Sequence, residues 1–143
     1  MFMKDKINIL LSDKSLNVND CLEFVSLPNC GGINVFVGTV RNETGGREVL
    51  RLDFEAYAPM AISEMRKLAE IACERWDVQG IAVHHRTGIL EIGEIPVIIA
   101  VACPHRKAAF EACQFVIDTL KERVPIWKKE VYADGEIWVS AHP

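Results

Sequence analysis

The segment KERVPIWKKE, residues 121–130, concentrates side chains that can bind anions and transfer protons. Pro125 has no amide proton and forces the residue before it out of helical geometry, so a helix is expected to end just before it. Lys121 and Lys128, which flank this turn, can then converge on one point. Trp127 is expected to shield such a pair partly from water.

A simpler interpretation explains half of these charges. Lys121 and Arg123 fit a cationic helix C-terminus, which the helix dipole stabilises. Lys128 and Lys129 lie beyond the turn and are not explained in that way. A functional cluster and a solvated charged surface therefore both remain open.

The run His105-Arg106-Lys107 places a second cationic cluster at the start of the same helix. Acidic side chains are favoured at a helix N-terminus, because its outward-pointing N–H groups carry partial positive charge. No carboxylate occurs here before Glu111. Since cations at this end cost stability unless an anion binds, the pattern predicts a phosphate-type site, with a solvated basic turn as the alternative.

The two cationic clusters are separated by about 15 helical residues, or on the order of 22 Å, which is too far for one small ligand within one chain. Three arrangements remain open. There can be two separate sites, or a symmetric dimer that joins the helix start of one chain to the helix end of another. The third is an extended substrate such as a protein tail.

The cysteines and the adjacent histidines do not predict a further functional site. The five cysteines are widely spread with no CxxC pair, so neither a disulfide framework nor a zinc site is predicted. Pro104 separates Cys103 from His105, which disfavours a Cys–His nucleophile. His84 and His85 are adjacent and would point to opposite faces of a strand, so no metal site is expected.

Hydrophobic periodicity predicts an α+β fold with a mixed or antiparallel sheet and two long helices. Segments 33–40 and 49–57 are expected to pair as a hairpin around the glycine-containing loop 42–48, with Arg41 at its entrance. Segment 88–93 is expected to be a turn-rich crossover, and 95–104 a buried central strand. The other expected strands are 7–11, 81–88, 126–132 and 136–140, and the expected helices are 17–25, 59–76 and 105–123. The last helix is expected to bury one stripe: Phe110, Cys113, Ile117, Leu120 and Val124.

Length and charge narrow the class of protein. A chain of 143 residues predicts one domain spanning 1–143. The net charge of −4 disfavours generic nucleic-acid binding. No apolar run approaches the roughly 20 residues of a membrane helix, and the charged N-terminal segment does not fit a signal peptide. A cytoplasmic protein is therefore expected.

Four segments resemble the catalytic large subunit family of molybdopterin synthase, and the likeness runs from about residue 32 to 139. They are VGTVRN at 37–42, HRTG at 85–88, HRKAAFEACQFVIDTLKERVPIWKKE at 105–130 and GEIWV at 135–139. The resemblance implies an α/β-hammerhead fold in a heterotetramer built around a homodimer of large subunits. It also implies a sulfurtransferase that converts cyclic pyranopterin monophosphate into molybdopterin by forming a dithiolene. The sulfur would come from the C-terminal Gly-Gly thiocarboxylate of a small ubiquitin-like partner.

The resemblance also assigns roles to individual residues. It implies catalytic lysines at Lys121 and Lys128, with no metal, no cofactor and no required cysteine. Substrate contacts are implied at the following positions: Thr39, Val40, Arg41, His105, Arg106, Lys129 and Glu130. Any contribution of a longer C-terminal tail would be absent or replaced in a chain ending at Pro143. The alternative is a non-catalytic dimeric module that binds a phosphorylated metabolite through Arg41 and the 105–106 pair.

Overall fold

The computed structural model describes residues 5–140, which form two β-sheets and three α-helices. The predicted α+β class with two long helices is confirmed. The elements are β1 Ile7–Ser12, α1 Val18–Val25, β2 Gly32–Gly38, β3 Glu43–Thr44, β4 Arg47–Ala56, α2 Ala58–Arg75, β5 Gly80–Arg86, β6 Gly88–Glu91, β7 Val97–Cys103, α3 Arg106–Arg123, β8 Ile126–Tyr132 and β9 Ile137–Ser140. No helix in this part of the chain has the length and apolar character that crossing a bilayer requires.

The first sheet has the strand order β1-β5-β7-β2. β1 and β5 are parallel, whereas β7 pairs antiparallel with both β5 and β2. Every residue of β7 is buried, which confirms the central strand predicted from its continuous apolar run. β2 lies at the edge of this sheet, with β7 as its one paired strand among the described residues.

The second sheet has the order β3-β4-β8-β9, and β6 also pairs with β4. The predicted hairpin between segments 33–40 and 49–57 is therefore wrong, because β2 and β4 belong to different sheets. β2 instead pairs with the buried strand β7, which needs a neighbour on both sides, and β4 pairs with β8. The segment expected to be only a crossover also forms the strand β6.

The loop 42–48 contains a hairpin of its own. β3 pairs with the start of β4, and Thr44 lies opposite Arg47. The two intervening residues, Gly45 and Gly46, have φ angles of +58° and +78°. Both values fall in the left-handed region that glycine adopts without strain and that the tightest hairpin turns require. The turn fixes Thr44 and Arg47 beside the second sheet.

Helix α3 packs against the first sheet and α2, and it ends where Pro125 was expected to stop it. Its buried residues are Ala109, Ala112, Cys113, Val116, Ile117 and Leu120. The predicted stripe was wrong at Phe110, which is 59% exposed. Small alanines let the helix approach the sheet, and so they take the face that the larger Phe110 was expected to occupy. At the other end, a Cβ on Gly32 would lie 2.8 Å from Arg106 Cα, so β2 runs directly against the start of the helix.

Candidate active site

A cavity of about 380 Å³ lies where the end of α3 meets both sheets. That volume falls in the range of small-molecule sites. The cavity collects five of the residues proposed from the sequence: Thr39, Arg41, Lys121, Lys128 and Glu130. Its other lining residues are Phe36, Gly38, Thr44, Leu52, Phe54, His85, Pro96 and Val97.

The turn at Pro125 brings the two lysines to this cavity. Lys121 lies in the last turn of α3, and Val124 leaves helical geometry immediately before the proline. Lys128 is the third residue of β8, where it pairs opposite Phe54 of β4. The end of α3 therefore contributes one lysine to the cavity, and the start of β8 contributes the other.

Lys128 is held by a carboxylate on the same face of β8. Its Nζ lies 3.2 Å from Glu130 Oε1, and the Glu130 side chain is only 7% exposed. The Tyr132 hydroxyl donates a hydrogen bond to Glu130 Oε2 over 2.7 Å. Burial raises the pKa of Glu130. Hydrogen bonds from Tyr132, Lys128 and Thr44 outweigh burial and hold that pKa below its ordinary value.

The cavity carries an excess of positive charge. Arg41, Lys121 and Lys128 face a single carboxylate, Glu130. Within residues 5–140, neither Arg41 nor Lys121 forms an ion pair. In a chain with net charge −4, such a local surplus of cations can attract an anionic ligand.

His85 was not among the residues proposed for the site, yet it lines the cavity. Its Nδ1 donates to the Arg86 carbonyl over 2.8 Å, and its ring meets Phe54 edge-on with centroids 5.2 Å apart. Burial lowers the pKa of His85 to about 4, so the ring is neutral at physiological pH. The alternation of side chains along a strand predicts that His85 and His84 point to opposite faces. It does not show which other residues pack against each face, so the sequence could not place His85 at the cavity.

The neighbouring His84 points to the opposite face of β5, as predicted. Its Nδ1 lies 3.3 Å from Cys21 Sγ, and its Nε2 is bonded to the Asn8 side chain. Among the described residues, no group of three or more His, Cys, Asp or Glu side chains is arranged to hold a metal ion.

The other proposed residues lie away from the cavity. Val40 is buried in the core, where its amide donates to the Glu94 carbonyl. Lys129 alternates with Lys128 along β8 and pairs opposite Asp53 of β4. Trp127 also lies on that outer face at 40% exposure, so it does not shield the lysines as expected.

His105 and Arg106 stand at the far end of α3 from Lys121, and neither lines the cavity. The first turn of the helix contains no acidic residue, and the His105 side chain makes no capping hydrogen bond. The start of α3 is therefore cationic, as the sequence predicted. Within one chain, however, this cluster lies far from Lys121 and Lys128.

The cysteines have the properties of structural residues. All five are free thiols. Burial raises the pKa of Cys21, Cys103 and Cys113 to about 11. At neutral pH these three are therefore protonated and poor nucleophiles.

The chain is similar to one group of known proteins. A family model described as MoaE protein matches residues 11–123. The molybdopterin synthase catalytic subunit of Homo sapiens is 45% identical over 135 residues, which are 94% of this chain and 71% of that protein.

Solved structures share the same architecture. Molybdopterin synthase from Staphylococcus aureus has a TM-score of 0.86 at 34% identity, covering 98% of this chain and 100% of that one. A complex of subunits 1 and 2 of the molybdopterin-converting factor from Helicobacter pylori gives a TM-score of 0.74 at 24% identity, covering 97% and 94% of the two chains. At that lower identity the likeness concerns the fold alone.

Proposed function

This chain belongs to the MoaE family, and on that premise we propose that it is a molybdopterin synthase catalytic subunit in molybdenum cofactor biosynthesis. The reaction proposed is conversion of cyclic pyranopterin monophosphate into molybdopterin by formation of a dithiolene. The cavity carries the proposal, because it joins Lys121 and Lys128 to Arg41 in a pocket of suitable volume. A pterin phosphate needs such an excess of cations, together with an apolar wall against its ring.

Different tasks follow for the two lysines from their different surroundings. Glu130 holds the Lys128 ammonium in place, so Lys128 acts as a fixed cation that stabilises negative charge on sulfur or phosphate. Lys121 has no ion-pair partner among the described residues and can move toward the substrate. We assign proton transfer to Lys121 and phosphate binding to Arg41, with Thr39 and Glu130 as further contacts.

The sulfur donor is proposed to be a small ubiquitin-like subunit whose Gly-Gly thiocarboxylate enters the cavity. An extended diglycine tail is slim enough for a narrow pocket, and its terminal charge is attracted to the lysines. Beside the cavity, the edge strand β9 exposes Ile137, Trp138 and Val139, and Trp138 pairs opposite Glu130. An exposed apolar edge strand, paired with the strand that carries Lys128 and Glu130, fits the body of such a partner.

A two-fold dimer would bring the cationic helix start to the lysines. β2 is an edge strand of seven residues, so its ends lie on the order of 20 Å apart, close to the roughly 22 Å between the clusters on α3. Its Gly32 end touches Arg106, and its Gly38 end lines the cavity. If two β2 edges pair antiparallel, His105 and Arg106 of the partner subunit approach the cavity.

We also propose a cytoplasmic location. Five free cysteines, with no disulfide among the described residues, suit a reducing compartment. The proposed partner contributes the sulfur, so these thiols have no required part in the reaction.

The test is a turnover assay with purified pterin substrate and the thiocarboxylated partner. Lys121→Ala should abolish dithiolene formation while leaving the thermal midpoint within a degree or two, because an exposed helix lysine contributes little to folding. Lys67→Ala is the matched control, since Lys67 is an exposed helix lysine whose one ion pair within residues 5–140 is with Glu64.

Plain, non-thiocarboxylated partner supplies the second control and should give no product. Near-normal turnover by Lys121→Ala would refute the proposed role of the lysine pair. A chain that binds the pterin but converts none of it, even with the thiocarboxylated partner, would instead be the non-catalytic binding module.

A further inference from the structure

The Glu130 carboxylate is held through both of its oxygens. Oε1 accepts from Lys128 over 3.2 Å, and Oε2 accepts from the Tyr132 hydroxyl over 2.7 Å. Thr44 is a third polar neighbour of the same carboxylate and helps to lower its pKa. Positions 128, 130 and 132 alternate along β8 and therefore project from one face of the sheet.

Tyr132 is itself clamped from outside the cavity. The Arg47 guanidinium carbon lies 3.8 Å from the centre of the Tyr132 ring. Arg47 also pairs with Asp134 at 3.0 Å and with Glu136 at 2.7 Å. Arg47, at the start of β4, thus packs on the Tyr132 ring and is itself held by the turn that joins β8 to β9.

We propose that Tyr132 is a positioning residue, whose hydroxyl fixes the Glu130 carboxylate and thereby holds the Lys128 ammonium at the cavity wall. The inference rests on the proposed function for the importance of Lys128. Tyr132 does not line the cavity, so it acts on the substrate only through Glu130.

The physical need for such a residue comes from the flexibility of both partners. Lysine has a four-carbon stem with several rotamers, and a glutamate that is bonded through one oxygen can still rotate its carboxylate. A hydrogen bond to the second oxygen removes that rotation. A bond to a charged acceptor in a buried site is also stronger than the same bond in water. Loss of the tyrosine hydroxyl would leave Oε2 buried and short of a donor, which frees the carboxylate to turn away from Lys128.

The variants are Tyr132→Phe, which removes only the hydroxyl, and Tyr57→Phe as the matched control. Tyr57 is the only other tyrosine in the chain, and it lies exposed at the start of α2. In Tyr132→Phe we expect kcat to fall on the order of tenfold, with KM changing less, because the lost bond positions a group that acts in the transition state. Tyr57→Phe should leave both constants unchanged.

The pH dependence separates positioning from a general loss of structure. Since the Tyr132 hydrogen bond lowers the pKa of Glu130, removing the hydroxyl should raise that pKa. The acid limb of the kcat profile should therefore move to higher pH in Tyr132→Phe. The carbon-13 signal of the Glu130 carboxyl, assigned with Glu130→Gln, should titrate at higher pH as well.

A second measurement does not need Tyr132→Phe to fold. In the Tyr57→Phe background, absorbance at alkaline pH reports Tyr132 alone. The hydrogen bond to Glu130 raises the pKa of Tyr132, so adding Glu130→Gln should bring its titration down toward the ordinary value. An unchanged Tyr132 titration would show that the bond is absent and would overturn the proposal.

Two further outcomes distinguish this proposal from the proposed function. If Glu130 titrates at higher pH in Tyr132→Phe while kcat and its acid limb match the Tyr57→Phe control, the bond exists but positions nothing, and the proposal is overturned. If Lys121→Ala keeps normal turnover, the proposed function fails. The carboxyl and tyrosine titrations would then still report whether Tyr132 holds Glu130.

Discussion

The separation of the two cationic clusters along α3 can be tested by mixing inactive variants. The helix start at Arg106 and the helix end at Lys121 lie about 15 residues apart, or on the order of 22 Å. One pterin phosphate cannot span that distance. If both clusters serve one reaction, each site takes Lys121 from one chain and Arg106 from the partner subunit.

The perturbation is co-expression of Arg106→Ala and Lys121→Ala chains, each carrying a different affinity tag. In a mixed dimer, one site receives both substitutions and the other receives neither. Mixed dimers selected through both tags should therefore show about half of wild-type turnover per dimer, and an unselected random mixture about a quarter. Each variant alone should be nearly inactive.

The control mixture is Lys121→Ala with Lys128→Ala. Both lysines reach the same cavity from one chain, so every site in such a mixed dimer lacks one of them, and no activity should return. The reasoning would be refuted if the Arg106 mixture also stayed inactive, because each chain would then complete its own site. Full activity of Arg106→Ala alone would remove the helix start from the reaction altogether.

The pKa of His85 in the folded protein is about 4, below its ordinary value of 6.5. The free energy of unfolding therefore has its full value above pH 6.5 and falls by about 3 kcal/mol as the pH falls through 4. Chemical denaturation at several pH values should show that the free energy of unfolding falls less with acidification in His85→Asn. Some pH dependence should remain because burial also lowers the pKa of His84. Cys103→Ala should still convert substrate with the thiocarboxylated partner, because this buried thiol is protonated at neutral pH; loss of turnover in a folded variant would show that the reaction requires this thiol. Trp138→Lys should weaken partner binding roughly tenfold or more in calorimetry, since Trp138 is 61% exposed on the edge strand β9, opposite Glu130, while pterin binding stays unchanged; equal losses for both would place the docking surface elsewhere.

The features that the sequence predicted correctly are those set by neighbouring residues. Pro125 ends α3 because of its own chemistry, whatever the rest of the chain does. The helix expected over 17–25 begins at Val18, directly after Asn17, whose side-chain oxygen accepts from the Asn19 and Asp20 amides. The apolar run of β7 is long enough to require burial on both faces.

The features that the sequence missed depend on which distant elements meet. Alternating residues define a strand but not its neighbour, so β2 and β4 were wrongly paired with each other. Phe110 was assigned to the core because helical spacing fits two adjacent stripes, and only the approach of the sheet selects the stripe of small residues. His85 reaches the cavity on the side where its ring meets Phe54 of the other sheet, a contact that no local pattern records.

The hydrogen-bond network behind Lys128 depends both on neighbouring residues and on which distant elements meet. Alternation along β8 already places positions 128, 130 and 132 on one face, so a lysine, a glutamate and a tyrosine were bound to be neighbours there. The sequence could not tell whether that face is solvated, in which case such pairs contribute little. Packing against β4 and the β3 hairpin buries Glu130, and burial makes each of its hydrogen bonds costly to lose. The same residues that would be an ordinary surface cluster on an open sheet thus form, in the wall of this cavity, a buried hydrogen-bond network around the Lys128 ammonium.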